Sequence, residues 1–283
     1  MKVKDLVEMY LESLLKRRSA NTYRFYSGRL AAFVKRFGQK KCKALKARQI
    51  EKYLDAVNHW PDGTAKAPDT VRANVIAFEQ LQKFAVKLGA LAGPILEDID
   101  KPVGRIRERL PTEAEVEAIK AHANAAFGLI YQALRQCGAR PNELARATVA
   151  DWDRDNHQIV LTDHKTARKT GQARRIAVGA KLQALIVAAL GDRTEGPLFV
   201  TVTGRPWTTA SLSCSFRRAR DSAGLERDLV LYSARHEHGT AVYRAAGELA
   251  AATALGHKGT GMLSRYVKIS KEERAHTQDS IGI

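Results

Sequence analysis

The sequence predicts a mainly α-helical protein with one small β-hairpin or sheet, divided into two domains. Three observations carry this. Apolar residues recur at helical spacing through residues 3–87. Two short alternating segments, 157–162 and 174–178, flank a single polar turn, as paired strands do. Between them and the first helices lies a stretch with Gly93-Pro94, Lys101-Pro102 and Gly104, where regular structure breaks. A chain of 283 residues is long enough for two domains of ordinary size.

Each element has its own signal. Leu6, Val7, Tyr10, Leu11 and Leu14 form one stripe of a first helix, 3–15. Ser19 or Asn21 can cap a second, with Tyr23, Tyr26, Leu30 and Phe33 or Val34 inward and Gly38 as its stop. Phe25 falls off that stripe. Ile50, Tyr53, Leu54 and Val57 define a third helix, which Pro61-Asp62-Gly63 ends. Asp69 or Thr70 starts a fourth, carrying Val71, Val75, Phe78, Leu81 and Phe84 to residue 87. Thr112 and Glu115 make a capping box that opens the second domain. Residues 127–136 are apolar and helical, and Pro141 suits the first position of a short helix. Residues 149–156 read as loop. Further helices are expected at 181–190, 209–223, 233–246 and 249–255.

Composition narrows the function. Hydrophobic residues make up 45% of the chain, too many for a disordered one. No run of about 18 apolar residues exists, so no membrane span is expected. Asp5 and Glu8 near the amphipathic start argue against a secretory signal. Three separated cysteines, Cys42, Cys137 and Cys214, suit reduced thiols in a cytoplasm. The net charge of +17 points to a polyanionic partner, nucleic acid first. Residues 13–50 contain no acid at all. They hold Lys16, Arg17, Arg18, Arg24, Arg29, Lys35, Arg36, Lys40, Lys41, Lys43, Lys46 and Arg48. Phosphate contact is the economical explanation of such a window. Arg105, Arg107 and Arg109 add a second basic cluster.

Four short motifs carry the chemistry. They are Cys137-Gly-Ala-Arg140-Pro-Asn-Glu143, His164-Lys165-Thr166 in the polar turn, Tyr232-Ser-Ala-Arg235-His236, and Leu255-Gly256-His257 followed nine residues later by Tyr266. Each alone is weak. In this order they resemble the boxes of the tyrosine recombinases and phage integrases over residues 111–268. The resemblance implies a helical DNA-binding (core-binding) domain at 1–92, a basic linker at 93–110 and a mixed α/β catalytic domain at 111–283. It implies catalytic roles for Arg140, Lys165, Arg235, His257 and Tyr266, and a 3′-phosphotyrosyl intermediate. Exchange of two duplexes breaks four strands, so a monomer in solution would assemble as a homotetramer on two DNA sites.

The residue chemistry agrees on its own terms. A phosphodiester under attack gathers charge on its non-bridging oxygens, which two arginine forks can clamp. Histidine adds a donor, tyrosine a nucleophile and a lysine the proton for the leaving oxygen. Such a transesterification needs neither metal nor other cofactor. Glu143, about a helical turn after Arg140, is expected to orient it. Lys169 competes with Lys165 for the lysine role. Tyr232 stands where the family often has histidine, which leaves His236 or water to accept a proton there. The spacing of His236-Glu237-His238 does not match a metalloprotease helix. Relaxation of DNA in the manner of a type IB topoisomerase, and non-catalytic DNA-binding regulation, are the competing functions.

Overall fold

The structure, a computed structural model, describes residues 1–104, 109–163, 171–257 and 259–269. The expectations placed on Arg105, Arg107, Lys165 and Lys169 lie outside the described residues. The chain divides into two compact units, Met1–Ile106 and Arg107–Ile283.

The first unit is built from four helices: α1 (Val3–Arg17), α2 (Ala20–Phe37), α3 (Ala47–Asn58) and α4 (Pro68–Lys87). Their stripes meet in an aromatic core. Tyr10 packs on Tyr26 and Phe84 at 5.4 and 5.2 Å between ring centres, and Phe33 on Phe37, Tyr53 and Phe78 at 5.1–5.7 Å. Ser19, not Asn21, caps α2 by accepting from Thr22 N. Phe25 is half-buried and takes the Arg29 guanidinium over its ring at 3.9 Å. Helix α4 begins earlier than its sequence signal, because Pro68 occupies the first turn with φ already set for a helix. Residues 93–99, the first part of the expected linker, lie along this unit. Ile95, Leu96 and Ile99 pack on its core. The buried Gln82 amide accepts from Ile95 N and Leu96 N and donates to Leu96 O.

The second unit opens with α5 (Glu113–Ala121) behind the Thr112–Glu115 capping box. Helix α6 (Ala125–Cys137) runs through the core with Phe127, Ile130, Tyr131 and Leu134 buried. Phe127 and Tyr131 stack at 5.8 Å, and Phe216 meets Tyr131 at 5.6 Å. The chain then makes α7 (Pro141–Arg146) and an antiparallel sheet in the order β1 (Trp152–Asp153), β2 (Gln158–Leu161), β3 (Arg174–Ala177). β1 corrects the loop expected at 149–156; two residues are too few for an alternating pattern to register. There follow α8 (Ala180–Leu190), α9 (Thr209–Ser222), α10 (Ser233–Leu255) and a 3-10 turn, Thr260–Arg265. Helix α10 breaks at Gly247, at φ 78° and ψ −173°, between the two helices expected there. No described helix is long and apolar enough to cross a membrane.

Candidate active site

Three chain reversals bring the motifs together in the second unit. The first is the end of α6. Gly138 takes the left-handed conformation at φ 57° and caps the helix, and Arg140 then serves as N-cap of α7 with Pro141 behind it. Glu143 fixes this turn from inside it. Its carboxylate accepts from Arg140 N at 3.0 Å and from Arg140 Nη1 at 2.6 Å. Glu143 is buried. Burial pushes its pKa up, but Arg140 outweighs this by charge and hydrogen bonds, so the carboxyl titrates below its usual range. Burial likewise works against the Arg140 cation, and Glu143 outweighs it, so that guanidinium titrates higher than usual.

The second reversal is the start of α10. Arg235, one turn in, is 1% exposed. It has no carboxylate partner among the described residues. Its Nη1 donates to Gly138 O at 2.5 Å and its Nη2 to Leu255 O at 2.6 Å, with His257 Nε2 at 3.3 Å. Its Nε is buried without a hydrogen-bond partner among the described residues. Burial first, then the nearby Arg140, lowers its pKa, yet an arginine keeps its proton in proteins.

The third reversal ends α10. Gly256, at φ 63°, turns the chain so that His257 faces Arg235. Burial and then the arginines Arg235, Arg140 and Arg174 push the His257 pKa down to about 4, so the ring is neutral near pH 7. Tyr266 follows the 3-10 turn and is 9% exposed. Its ring centre lies 4.6 Å from that of His257 and 5.1 Å from that of His236, and Arg235 Cζ lies 5.2 Å from it. Thr240 Oγ1 donates to His236 O at 2.9 Å, accepts from Lys268 N at 3.0 Å and lies 3.3 Å from Tyr266 O, which ties the backbone around Val267 to α10. Tyr232 Oη lies 3.5 Å from Tyr266 Oη. Burial, with the Tyr266 hydrogen bond second, pushes the Tyr232 pKa up to about 12.

Arg140, Glu143, Tyr232, Arg235, His236, His257 and Tyr266 thus fall in one cluster. The neighbours of His236 face elsewhere. Glu237 pairs with Arg135, and His238 Nδ1 lies 3.1 Å from Arg135 O. Two residues in the cluster escaped the sequence reading. Thr240 left no sequence signal. Arg174 did: it occupies the inward face of β3 with Ile176, where an arginine is out of place.

Two guanidiniums, Arg140 and Arg174, therefore face one buried carboxylate, Glu143, and the third, Arg235, is buried near them without a carboxylate among the described residues. A buried cluster with surplus positive charge is a site for an oxyanion. The first unit carries exposed bases of its own. Lys16, Arg17, Arg18, Arg24, Lys35, Arg36, Lys40, Lys41 and Lys43 are all exposed, and none forms an ion pair among the described residues.

A buried, positively charged cluster around a tyrosine, on a helical unit with a small antiparallel sheet, suits a DNA breaking-and-rejoining enzyme of the tyrosine type, and the family match places the chain in that class. The profile of the Phage integrase family matches residues 108–273, and the chain belongs to that family. No curated protein sequence matches it. Solved structures share the fold at low identity. A lambda integrase (residues 75–356) dimer bound to a COC′ core site superposes with a TM-score of 0.78, at 16% identity over 94% of this chain and 95% of that one. A lambda integrase tetramer bound to a Holliday junction gives 0.78, at 15% identity over 95% and 78%. The Tn1549 transposon integrase in complex with circular intermediate DNA gives 0.69, at 16% identity over 98% and 99%.

Proposed function

We propose that this chain is a site-specific recombinase that cuts and rejoins DNA strands through Tyr266. The observation that supports it most is a cluster of three buried guanidiniums with Glu143 as its one carboxylate among the described residues, and with the Tyr266 ring beside Arg235. In this reading the scissile phosphate enters as the missing anion. Arg140 and Arg235 hold its non-bridging oxygens, and His257, neutral, donates a hydrogen bond to them. Tyr266 Oη attacks phosphorus. The new bond is Tyr266 O–P and the broken one is P–O5′. The proton lost by the phenol passes through Tyr232 Oη or water, since a phenol with a pKa of about 12 relays better than it accepts. The O5′ takes a proton from the turn lysine, for which Lys165 is preferred and Lys169 is the alternative. The freed 5′-hydroxyl then attacks a partner phosphotyrosine, and the bond energy is retained.

DNA is the partner this chemistry requires, and lambda integrase is the precedent for a tetramer on a Holliday junction. We assign residues 1–92 to core binding and 111–283 to catalysis, and the exposed bases of α1, α2 and the turn at 40–43 to the phosphate backbone. The test is trapping of a covalent protein–DNA adduct on a duplex nicked beside the scissile phosphate. Tyr266→Phe must abolish the adduct. Adduct at wild-type yield in that variant would remove Tyr266 as the nucleophile.

A further inference from the structure

The described cluster contains one cation that the proposed chemistry leaves without a task. Arg174, the first residue of β3, is 6% exposed. Its Nη2 donates to Ala254 O at 2.6 Å. Its Nη1 donates to Arg175 O at 2.8 Å and reaches Thr253 O at 3.5 Å. Its Nε faces Glu143 Oε2 at 3.8 Å, within ion-pair range and outside hydrogen-bond range. Gly256 covers the guanidinium so closely that a Cβ there would meet Nη1 at 2.7 Å and Cζ at 2.8 Å.

These contacts join two pieces of the clamp that are more than a hundred residues apart in sequence. One is the Arg140–Glu143 turn, and the other is the carbonyl end of α10 that delivers His257. The last carbonyls of α10 are divided between two arginines: 253 and 254 go to Arg174, and 255 goes to Arg235. We propose that Arg174 is a positioning residue that holds the Arg140 arm and the His257 arm of the phosphate clamp in register. A cation wanted only to cap α10 could sit at the surface, where the helix dipole also favours it. Here it is buried beside two like charges, Arg140 and Arg235, with the single Glu143 carboxylate set against all three cations. The proposal rests on the recombinase reading, and deepens it by one residue.

Positioning and mere support make different predictions. Misplacement of a reacting geometry by about an ångström costs on the order of 100-fold in rate without a matching loss of affinity. Arg174→Lys keeps the charge and most of the volume but loses the fork that spans Glu143 and the carbonyls. Arg174→Met loses both. The experiment measures single-turnover adduct formation and duplex affinity on a nicked DNA carrying the site at which the wild-type protein forms adducts. Unfolding curves are recorded for each variant.

The expected result is a rate about 10-fold lower for Arg174→Lys and about 100-fold lower for Arg174→Met, with affinity within about threefold of wild type. A substrate whose leaving 5′ oxygen is replaced by sulfur needs no proton donor, and it should not rescue either variant. Rates within about threefold of wild type in a folded Arg174→Lys protein overturn the proposal. Recovery on the sulfur substrate also overturns it, because Arg174 would then act through the lysine that precedes β3 in the sequence. If neither variant folds, Arg174 is a structural residue and the proposal falls. An inactive wild-type protein on all DNA sinks the recombinase reading first, and is told apart by that control.

Discussion

At the scale of single residues, the charge state of His257 makes the sharpest prediction. The folded protein holds this ring neutral, with its pKa pushed from 6.5 to about 4. The unfolded chain therefore binds one more proton than the native one between about pH 4 and 6.5, and native stability falls as the pH drops through that window. Urea titrations should show the loss in the wild type and a smaller one in His257→Gln. An equal loss in both would place the titration elsewhere. The second prediction concerns Tyr232. Tyr232→Phe removes the hydroxyl 3.5 Å from that of Tyr266 and should slow adduct formation roughly 10- to 100-fold, within the range of positioned proton transfer. Tyr232→His should restore much of the rate and give it a limb below the usual histidine range, because burial and the nearby Arg235 and Arg140 disfavour the cation there. A flat pH profile in that variant would deny the position a role in proton transfer.

At the scale of elements, the turn at Gly256 can be tested directly. Ala in the left-handed region costs roughly 1–2 kcal/mol, and its Cβ would also displace Arg174. Gly256→Ala should therefore destabilise the second unit by more than that cost alone, read as a shift in the urea midpoint. Glycine turns of this kind were legible in the sequence, because each sits beside a chemistry-bearing residue: Gly138 before Arg140, Gly256 before His257. The helices were legible from their stripes, and the break of α10 from Gly247. Two elements were not. β1 is two residues long and has no period to detect. The start of α4 was displaced because Asp69 and Thr70 look like caps, whereas Pro68 already fits the first turn. Buried Arg174 was visible as an inward arginine on an alternating strand. Its partners were not, because Glu143 and Ala254 lie far from it in sequence and only the fold brings them near.

At the scale of the whole molecule, the surplus of +17 is not spread evenly. The acid-free window puts exposed bases on α1, α2 and the turn after them, and none pairs with a carboxylate among the described residues. Duplex affinity should fall linearly in log–log terms with salt. Each neutralised phosphate contact removed, as in Lys16→Ala or Arg36→Ala, should lower the slope by about 1. Variants that leave the slope unchanged mark bases that do not touch DNA. The packing of Ile95, Leu96 and Ile99 bears on dissection of the chain. A fragment ending at residue 92 removes those side chains from the core and the backbone partners from the Gln82 amide, and should be less stable than one ending at residue 104. Paired thermal melts of the two fragments measure the difference.

Tyr266 is held by its own chain on every side: Thr240 at its backbone, His236 and His257 at its ring, Arg235 beside it. Under the proposed chemistry the nucleophile and the clamp arginines come from one chain, and cleavage in cis is the expected outcome. Two dead proteins cannot lend each other parts. Tyr266→Phe mixed with Arg235→Ala should stay as inactive as either alone, at any ratio. In the proposed tetramer, cuts would then be timed by switching whole sites on and off, not by passing a tyrosine between neighbours.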